Sequence, residues 1–114
     1  MQIPEKGVLL RIFIGESDQH NGIPLHEAIV KKARELGLAG ATVCRGIMGY
    51  GASSRIHTSK ILRLSEDLPV IIELVDSEER INLILPWLDE HCDEGLMTME
   101  AVRVLHYRSK RKDS

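Results

Sequence analysis

The sequence has few of the residues that build disulfide frameworks or local metal motifs. Its two cysteines, Cys44 and Cys92, lie far apart without C-x-x-C spacing, so neither a disulfide framework nor a zinc motif is indicated. The five histidines never fall at H-x-x-x-H spacing, which leaves only a metal site assembled in three dimensions. Both cysteines are interpreted as thiols, Cys44 packed in a strand and Cys92 near a helix end.

Long apolar runs and an excess of positive charge are also missing. No run approaches the roughly 20 residues of a membrane-spanning helix, and the first residues lack the apolar region of a signal peptide. The formal net charge of −2 argues against general binding to nucleic acid. These absences favour a cytoplasmic protein with no membrane insertion and no direct nucleic-acid partner.

The composition is ordinary for a globular protein, with 43% apolar and 28% charged residues. A chain of 114 residues is most economically one domain, residues 1–114, with a single core. We place that core at about residues 7–106, followed by a basic tail at 107–114.

Four strands are predicted from apolar patterns. Gly7–Ile14 and Leu96–His106 alternate with a period of two. Val70–Val75 is rich in β-branched residues with one charge, as expected for a strand that is buried on most of both faces. A further strand is predicted over Ala41–Met48.

Two amphipathic helices are predicted between these strands. The first has Pro24 as its first helical residue and stops at Gly37. The second starts at Asp76, which together with Glu79 resembles a capping box. Pro86 removes one hydrogen bond inside this second helix, so a kink or an early end is expected there.

The predicted order is strand, helix, strand, strand, helix, strand. This order is typical of the α+β ferredoxin-like βαββαβ sandwich, in which two helices cover one face of an antiparallel sheet. The apolar residues Leu9 and Phe13 lie on the other face, where no helix is left to cover them. We therefore predict a homo-oligomer whose sheets line a shared interior.

The glycine segment, Arg45–Gly51, leaves one predicted strand and holds three glycines beside one arginine. Glycines allow close backbone approach and can turn N–H groups toward an anion, and arginine supplies a fixed positive charge. The segment matches neither the G-x-x-x-x-G-K-[ST] nor the G-x-G-x-x-G pattern. Its spacing leaves a plain turn and a ligand site both open. The polar residues 52–60 that follow are expected to form a mobile loop.

Several ordered motifs resemble those of one protein family. They are Ile14-Gly15-Glu16, Gly22-x-Pro24-Leu25, Arg45-Gly-Ile-Met-Gly-Tyr-Gly, His57, Leu64-Ser-x-Asp67-Leu-Pro69 and Glu73-x-Val-Asp76. Together they cover roughly Val8 to His106 and resemble the prokaryotic family called domain of unknown function 190 (DUF190). That family is similar in fold to the PII signalling proteins, trimers of ferredoxin-like subunits that bind adenine nucleotides in clefts between subunits.

The resemblance implies a trimeric signalling protein, without enzymatic activity or cofactor, that binds an adenine nucleotide and presents residues 51–60 to a target protein. It places the base of the PII effector loop at the glycine segment. A membrane transporter is one candidate target, because some relatives are linked with fluoride-export membrane proteins. Asp93-Glu94-Gly95 is acidic where PII proteins have a glycine-rich loop with a lysine, which favours AMP or ADP over ATP.

The ligand-binding residues that the resemblance implies come from the glycine segment, the loop after it, one strand and the end of the chain. They are Arg45, Gly46, Gly49, Tyr50, Gly51, Arg55, His57, Glu73, Arg103 and Arg108. The three glycines would offer backbone donors to phosphate. Arg103 or Arg108 would approach from a neighbouring subunit. Glu73 is expected to face solvent or to pair with a basic residue such as Arg11 or Arg103, and would contact a ribose only if it faced a cleft.

Two other functions are open at this point. One is a small enzyme that acts on a nucleotide with His57 as general acid or base, helped by Glu16 or Asp18. The other is a trimeric metal-binding protein that resembles the copper-tolerance relatives of the PII fold, with His20, His57 and Cys44 as candidate ligands.

Overall fold

The computed structural model describes residues 5–51, 57–58 and 67–109. In these parts of the chain, neither helix is long and apolar enough to cross a membrane. In chain order the elements are β1 (Lys6–Gly15), β2 (Gln19–His20), β3 (Ile23–Pro24), α1 (Leu25–Glu35), β4 (Thr42–Arg45), β5 (Met48–Gly49), β6 (His57–Thr58), β7 (Pro69–Asp76), α2 (Glu78–His91) and β8 (Leu96–Arg103).

The four longer strands form one antiparallel sheet in the order β4, β7, β1, β8. The two-residue strands make two small ribbons, β2 with β3 and β5 with β6. β1 lies inside the sheet, where Ile12 is aligned with Ile72 of β7 and with Met97 of β8. The neighbours of β1 in the sheet are therefore distant from it in the sequence.

The core lies between the sheet and the two helices. Alternate residues of β1 and β7 are buried, because successive side chains of a strand point to opposite faces. The helices contribute buried residues that recur at intervals of three and four. Both helices thus cover the same face, and the predicted α+β ferredoxin-like sandwich is confirmed. The core cluster comprises Leu10, Ile12, Ile14, Leu25, Ile29, Ala33, Leu38, Val70, Ile72, Leu74, Ile81, Ile84 and Leu88.

The other face of the sheet, called the open face below, is covered by neither α1 nor α2. It carries the odd-numbered residues of β1 and β7, of which Phe13 and Ile71 are partly exposed and Leu9 is nearly buried. At the edge, β8 is exposed on both sides: Leu96 on the open face is 57% exposed and Met97 on the opposite face is 40% exposed. Apolar surface is therefore left uncovered in a single chain.

α1 begins one residue later than predicted. Pro24 precedes the helix because it still belongs to the β2–β3 ribbon, and Leu25 is the first helical residue. The Leu25 N–H donates to the Asp18 carbonyl at 2.7 Å, which fixes where the helix starts. The helix ends at Glu35, and the predicted stop, Gly37, follows with a φ of 81°.

The start of α2 also differs from the prediction by one residue. Ser77, rather than Asp76, is the N-cap, and its hydroxyl accepts a hydrogen bond from the Arg80 N–H at 3.2 Å. Asp76 instead ends β7 as a fully buried side chain, whose carboxylate accepts hydrogen bonds from the N–H groups of Ala39 (2.9 Å) and Ser77 (2.7 Å). The predicted capping box is wrong because Asp76 binds the loop after α1.

The sequence predicts a kink or an early end at Pro86, and the early end is wrong, because α2 continues through Pro86 to His91. Pro86 cannot donate a hydrogen bond to the carbonyl of Asn82. Both residues are exposed, so water can satisfy that carbonyl. On the opposite side of the helix, Ile84 and Leu88 are fully buried, and their packing stabilises the helix across the proline.

The end of the chain crosses the end of the sheet instead of extending β8 as predicted. β8 ends at Arg103, three residues before the predicted end, and the Val104 N–H donates to the Glu5 carbonyl at 2.7 Å. The Tyr107 hydroxyl donates to the Ala39 carbonyl at 2.6 Å. Tyr107, the first residue of the predicted basic tail, is therefore anchored to the loop between α1 and β4.

Candidate functional site

Three parts of the chain meet at the end of the sheet where β1 finishes. They are the loop after β1, the residues that lead into β7, and the glycine segment. The Glu16 N–H donates to the Leu68 carbonyl at 2.8 Å, and the Gly46 N–H donates to the Pro69 carbonyl at 2.7 Å. The second bond continues the pairing of β4 with β7 by one residue, but Pro69 has no N–H to donate back to the Gly46 carbonyl, so β4 ends at Arg45, before the predicted Met48.

An ion pair joins the first residue of the glycine segment to the loop after β1. The Arg45 guanidinium contacts the Glu16 carboxylate. The Arg45 side chain is 65% exposed, whereas the Glu16 side chain is only 24% exposed. Glu16 thus lies against the protein, while the guanidinium stays accessible to an anion from solution.

Asp67 holds the loop after β1 in place. Its Oδ1 accepts hydrogen bonds from the Ser17 N–H at 3.0 Å and from the Ser17 hydroxyl at 2.8 Å. Gly15 has no room for a side chain, because a Cβ there would overlap the Asp67 carboxylate. Sequence reasoning missed this arrangement because 50 residues separate the partners. The only signal was the presence of Asp67 in one of the family motifs.

Two of the three glycines are needed for close packing on Pro69. A Cβ at Gly46 would lie 2.7 Å from the Pro69 Cγ, and a Cβ at Gly49 would lie 3.0 Å from it. None of the three glycines has a positive φ angle. The Gly46 N–H is engaged by the Pro69 carbonyl, so it is not directed at a ligand. Apart from its chain neighbours, no atom of the described residues lies within 4 Å of a Cβ built at Gly51.

Replacing Gly46 with alanine is expected to lower the free energy of unfolding by about 1–2 kcal/mol, because the new methyl group must displace the Pro69 ring. Pro69→Ala removes the atom that the methyl group meets, so Gly46→Ala should cost markedly less in that background. Urea unfolding of the four proteins in a double-mutant cycle measures the difference. If Gly46→Ala lowered the free energy of unfolding equally in both backgrounds, the glycine would be needed for a reason other than contact with Pro69.

The glycine segment continues into the β5–β6 ribbon, where Gly49 is aligned with His57. The backbone of His57 therefore lies beside the glycine segment, although its side chain is outside the described residues. Tyr50 is 70% exposed and accessible to a ligand or a partner. Arg55 lies outside the described residues, as does the rest of the predicted mobile loop at 52–60, apart from 57–58.

Glu73 lies on the open face and not at the glycine segment. The Arg11 Nε donates to the Glu73 Oε2 at 2.7 Å, and the Arg11 Nη1 donates to the Glu100 Oε1 at 3.0 Å. The hydrogen bond to Glu73 is the main cause that raises the pKa of Arg11, against the opposing effect of burial. The predicted pairing of Glu73 with a basic residue is confirmed, and Glu73 belongs to an ion network at the centre of the open face.

Arg103 lies at the opposite end of the sheet from Arg45. Along β1, Arg103 is aligned with Lys6, whereas Arg45 is aligned, through β7, with Ile14. The rise of an extended strand separates these positions by about 27 Å. Arg108 is exposed in the segment beyond Arg103. A single chain therefore cannot bring Arg103 to Arg45, and a shared site requires a second subunit.

An open groove of about 430 Å³ lies next to Arg103. Its walls are Glu5 and residues 103–107. The Arg103 Nε donates to the Glu5 Oε1 at 2.8 Å, but both side chains are mostly exposed, at 77% and 61%. Such exposed pairs contribute little to stability, so Glu5 holds the Arg103 guanidinium only weakly.

The two carboxylates that the enzyme hypothesis uses as helpers both have structural partners. Glu16 pairs with Arg45, and the Asp18 Oδ2 accepts a hydrogen bond from the Gly15 N–H at 3.0 Å. These contacts hold the loop after β1 and its link to the glycine segment.

Among the described residues, no group of three or more His, Cys, Asp or Glu side chains is arranged to hold a metal ion. Cys44 is exposed on the open face at β4, not packed as predicted, because β4 is an edge strand. His20 contacts the rings of Trp87 and His91 on α2, with centroid distances of 5.4 and 4.6 Å. Cys44 and His20 therefore lie on opposite faces of the sheet.

Cys92 follows α2, as predicted, and its N–H donates to the Leu88 carbonyl at 2.8 Å. Burial raises the pKa of its thiol, and the carboxylates of Asp18 and Asp93 raise it further. A raised pKa lowers the fraction of thiolate near neutral pH. The surroundings of Cys92 thus favour an unreactive, structural thiol.

Comparison with known proteins places these features in a family. The family model DUF190, described as Uncharacterized ACR, COG1993, matches residues 7–104. A UPF0166 protein of Aquifex aeolicus strain VF5 is 40% identical over 102 residues, which cover 89% of this chain and 95% of the relative. The UPF0166 protein MJ1524 of Methanocaldococcus jannaschii is 45% identical over 85 residues, which cover 75% and 78% of the two chains.

Solved structures of PII-like proteins have a similar fold. CPII of Thiomonas intermedia K12, a nitrogen regulatory PII-like protein bound to ADP, AMP and bicarbonate, has a TM-score of 0.61 at 16% identity, over 87% of this chain and 88% of that chain. A putative PII-like signalling protein of Thermus thermophilus, TTHA0516, has a TM-score of 0.62 at 21% identity, over 91% and 93%. The predicted PII-like fold is confirmed, and the chain belongs to the DUF190 family.

Proposed function

We propose that the protein is a non-enzymatic, PII-like regulator that binds an adenine nucleotide, AMP or ADP, between the subunits of a homo-oligomer. Nucleotide binding would change the position of residues 51–60 and so control contact with a target protein, through a difference in affinity between two loop states. The observation that carries the proposal is the likeness in fold to CPII, whose structure contains ADP and AMP.

The proposed site has contributions from two subunits. One subunit supplies the exposed Arg45 guanidinium, the backbone of Gly49 and Gly51, and the exposed Tyr50. A neighbouring subunit supplies Arg103 or Arg108. Gly46 gives the segment its shape on Pro69, and Glu73 is left out because Arg11 engages it on the open face. Arg55 and His57 complete the proposed set from the loop that follows.

Calorimetric titration with AMP, ADP, ATP and cyclic nucleotides tests this function. We expect AMP or ADP to bind and Arg45→Ala to weaken that binding about tenfold, because a charge-assisted hydrogen bond to phosphate is lost. Lys31→Ala is the matched control, since it removes a positive charge from an exposed pair on α1. Titrations without heat for every nucleotide, together with unchanged thermal stability, would contradict the proposal.

The exposed apolar surface of the open face and of β8 supports the proposal that the chain forms a homo-oligomer. Large apolar side chains of β8, including Leu96, Met97 and Met99, are between 40% and 57% exposed. Exposed apolar surface of this kind marks interfaces. Size-exclusion chromatography with light scattering is therefore expected to give the mass of a homo-oligomer, with a trimer as the proposed state. A stable monomer at micromolar concentration would contradict this prediction.

The target is proposed to be another protein that reads the position of residues 51–60, and a membrane transporter is one candidate. A cytoplasmic location is part of the same proposal, since adenine nucleotides that act as signals are cytoplasmic. Affinity capture with and without AMP or ADP, using the wild-type protein and Arg45→Ala, would identify a target that depends on the nucleotide.

A further inference from the structure

We propose that Glu16 is an internal competitor for Arg45 that limits the charge of the nucleotide the protein accepts. The inference rests on the proposed function, because it concerns the guanidinium assigned there to the phosphate. In this account Glu16 is a specificity-determining residue that does not itself contact the ligand. Its effect comes from the ion pair it already forms with Arg45.

The loop after β1 fixes the position of Glu16. Its backbone N–H donates to the Leu68 carbonyl at 2.8 Å, and the next residue, Ser17, is bonded to Asp67 through both its N–H and its hydroxyl. The Glu16 side chain is 24% exposed, whereas that of Arg45 is 65% exposed. The guanidinium is therefore the partner that must move when an anion enters.

A phosphate that binds Arg45 must replace a carboxylate that is already in contact with it. Because the Arg45 end of the pair is exposed to solvent, the pair is screened, so the competition should weaken anion binding by a few fold rather than abolish it. Phosphate can still displace the carboxylate, because it offers several acceptor oxygens to the N–H groups of the guanidinium. A ligand therefore binds Arg45 only if its own contacts with the guanidinium are stronger than those of Glu16.

The surroundings make the competition depend on ligand charge. Glu16 and Asp18 place two carboxylates on the loop beside the Arg45 guanidinium. Each added phosphate raises the repulsion from these carboxylates, within the Debye length. Glu16 should therefore penalise ATP more than ADP, and ADP more than AMP.

A different role for Glu16 would be to hold the guanidinium in the orientation that the ligand needs. The two roles predict effects of opposite sign. Loss of a competitor strengthens binding, whereas loss of a positioning residue weakens it. The sign of the change in affinity therefore decides between them.

The test compares the wild-type protein, Glu16→Gln and Glu27→Gln by calorimetry with AMP, ADP, ATP and inorganic pyrophosphate at fixed ionic strength. Glu27 on α1 is 48% exposed and pairs with Lys31 at 3.3 Å, so its replacement removes one charge without touching Arg45. We expect Glu16→Gln to tighten ADP binding about two- to fivefold, with a larger gain for ATP than for AMP. Glu27→Gln should change none of these affinities, and the gain should vanish in Glu16→Gln/Arg45→Ala.

The outcomes separate this inference from the proposed function. If the wild-type protein binds ADP and Glu16→Gln binds it equally or more weakly, the inference is overturned and the function stands. If no nucleotide binds the wild-type protein but Glu16→Gln gains pyrophosphate binding through Arg45, the inference holds and the function fails. If neither protein binds any of the four ligands, both are overturned. Glu16→Asp, which keeps the charge but shortens the reach, should show an intermediate gain and serves if Glu16→Gln unfolds.

Discussion

Asp76→Ala is expected to lower the free energy of unfolding by about 3 kcal/mol, because it leaves two partly buried N–H groups without their acceptor. The Asp76 side chain is fully buried at the end of β7. Its carboxylate accepts from the N–H groups of Ala39 and Ser77, and the Arg80 Nη1 lies 3.5 Å away. One residue therefore joins the loop after α1 to the start of α2, and its loss affects both.

Urea unfolding followed by circular dichroism measures this effect. Glu79→Ala is the matched control, since it removes an exposed carboxylate from the first turn of the same helix and should cost less than about 1 kcal/mol. Asp76→Asn keeps one acceptor oxygen and should fall between the two. A loss for Asp76→Ala no larger than that for Glu79→Ala would show that the buried contacts do not stabilise the fold.

Gly95→Ala is expected to cost about 2–3 kcal/mol of unfolding free energy, because two penalties act at one position. Gly95 has a φ of 115°, a conformation that residues with a side chain rarely adopt. A Cβ there would also overlap the backbone carbonyl oxygen of Phe13, which cannot rotate away as a side chain would. The turn into β8 must therefore deform, and β8 carries Arg103 and much of the exposed apolar surface.

The matched control for this prediction is Gly40→Ala. Within the part of the chain that the structure describes, nothing beyond its chain neighbours lies within 4 Å of a Cβ at Gly40, and the φ angle of Gly40 is not positive, so the change should cost almost nothing. Thermal unfolding of the two variants at the same protein concentration gives the comparison, and chromatography shows whether Gly95→Ala also weakens assembly. Equal melting temperatures for the two variants would mean that the turn before β8 adapts without cost.

Local patterns predicted the main elements of the fold. Alternation of apolar residues identified β1, and the β-branched run identified β7, because the side chains of a strand divide between two faces whatever the rest of the chain does. β7 also shows the limit of this reasoning. Its composition suggested burial on both faces, whereas Ile71 and Val75 are only partly buried on the open face. Further burial on that face would require the proposed homo-oligomer, which a single sequence does not describe.

The errors have a common physical origin in contacts between distant residues. Asp76 and Ser77 are both good N-cap residues, and a hydrogen bond to Ala39 decided which of them caps α2. β4 ends early because the next residue, Gly46, lies opposite Pro69, which has no N–H to continue the pairing. None of these partners is a neighbour in sequence, so local pattern alone could not select them.

The candidate site was predicted in part. Arg45 and the glycines were identified from residue type and from the family resemblance. The role predicted for the glycines was incomplete. Two of them pack against Pro69, which lies 20 or more positions further along the chain. Glu16 was considered only as a helper in catalysis, since its ion pair with Arg45 depends on how two loops meet at the end of the sheet.

The position of β1 in the sheet also governs the order in which the protein can fold. β1 is made before the other described strands, yet it pairs with β7 and β8, the last of them to be made. This apolar strand therefore stays without its hydrogen-bonding neighbours until Pro69–Asp76 and Leu96–Arg103 have been synthesised. The sheet closes around β1 only after that point, because the contacts that hold β1 are between residues far apart in the sequence.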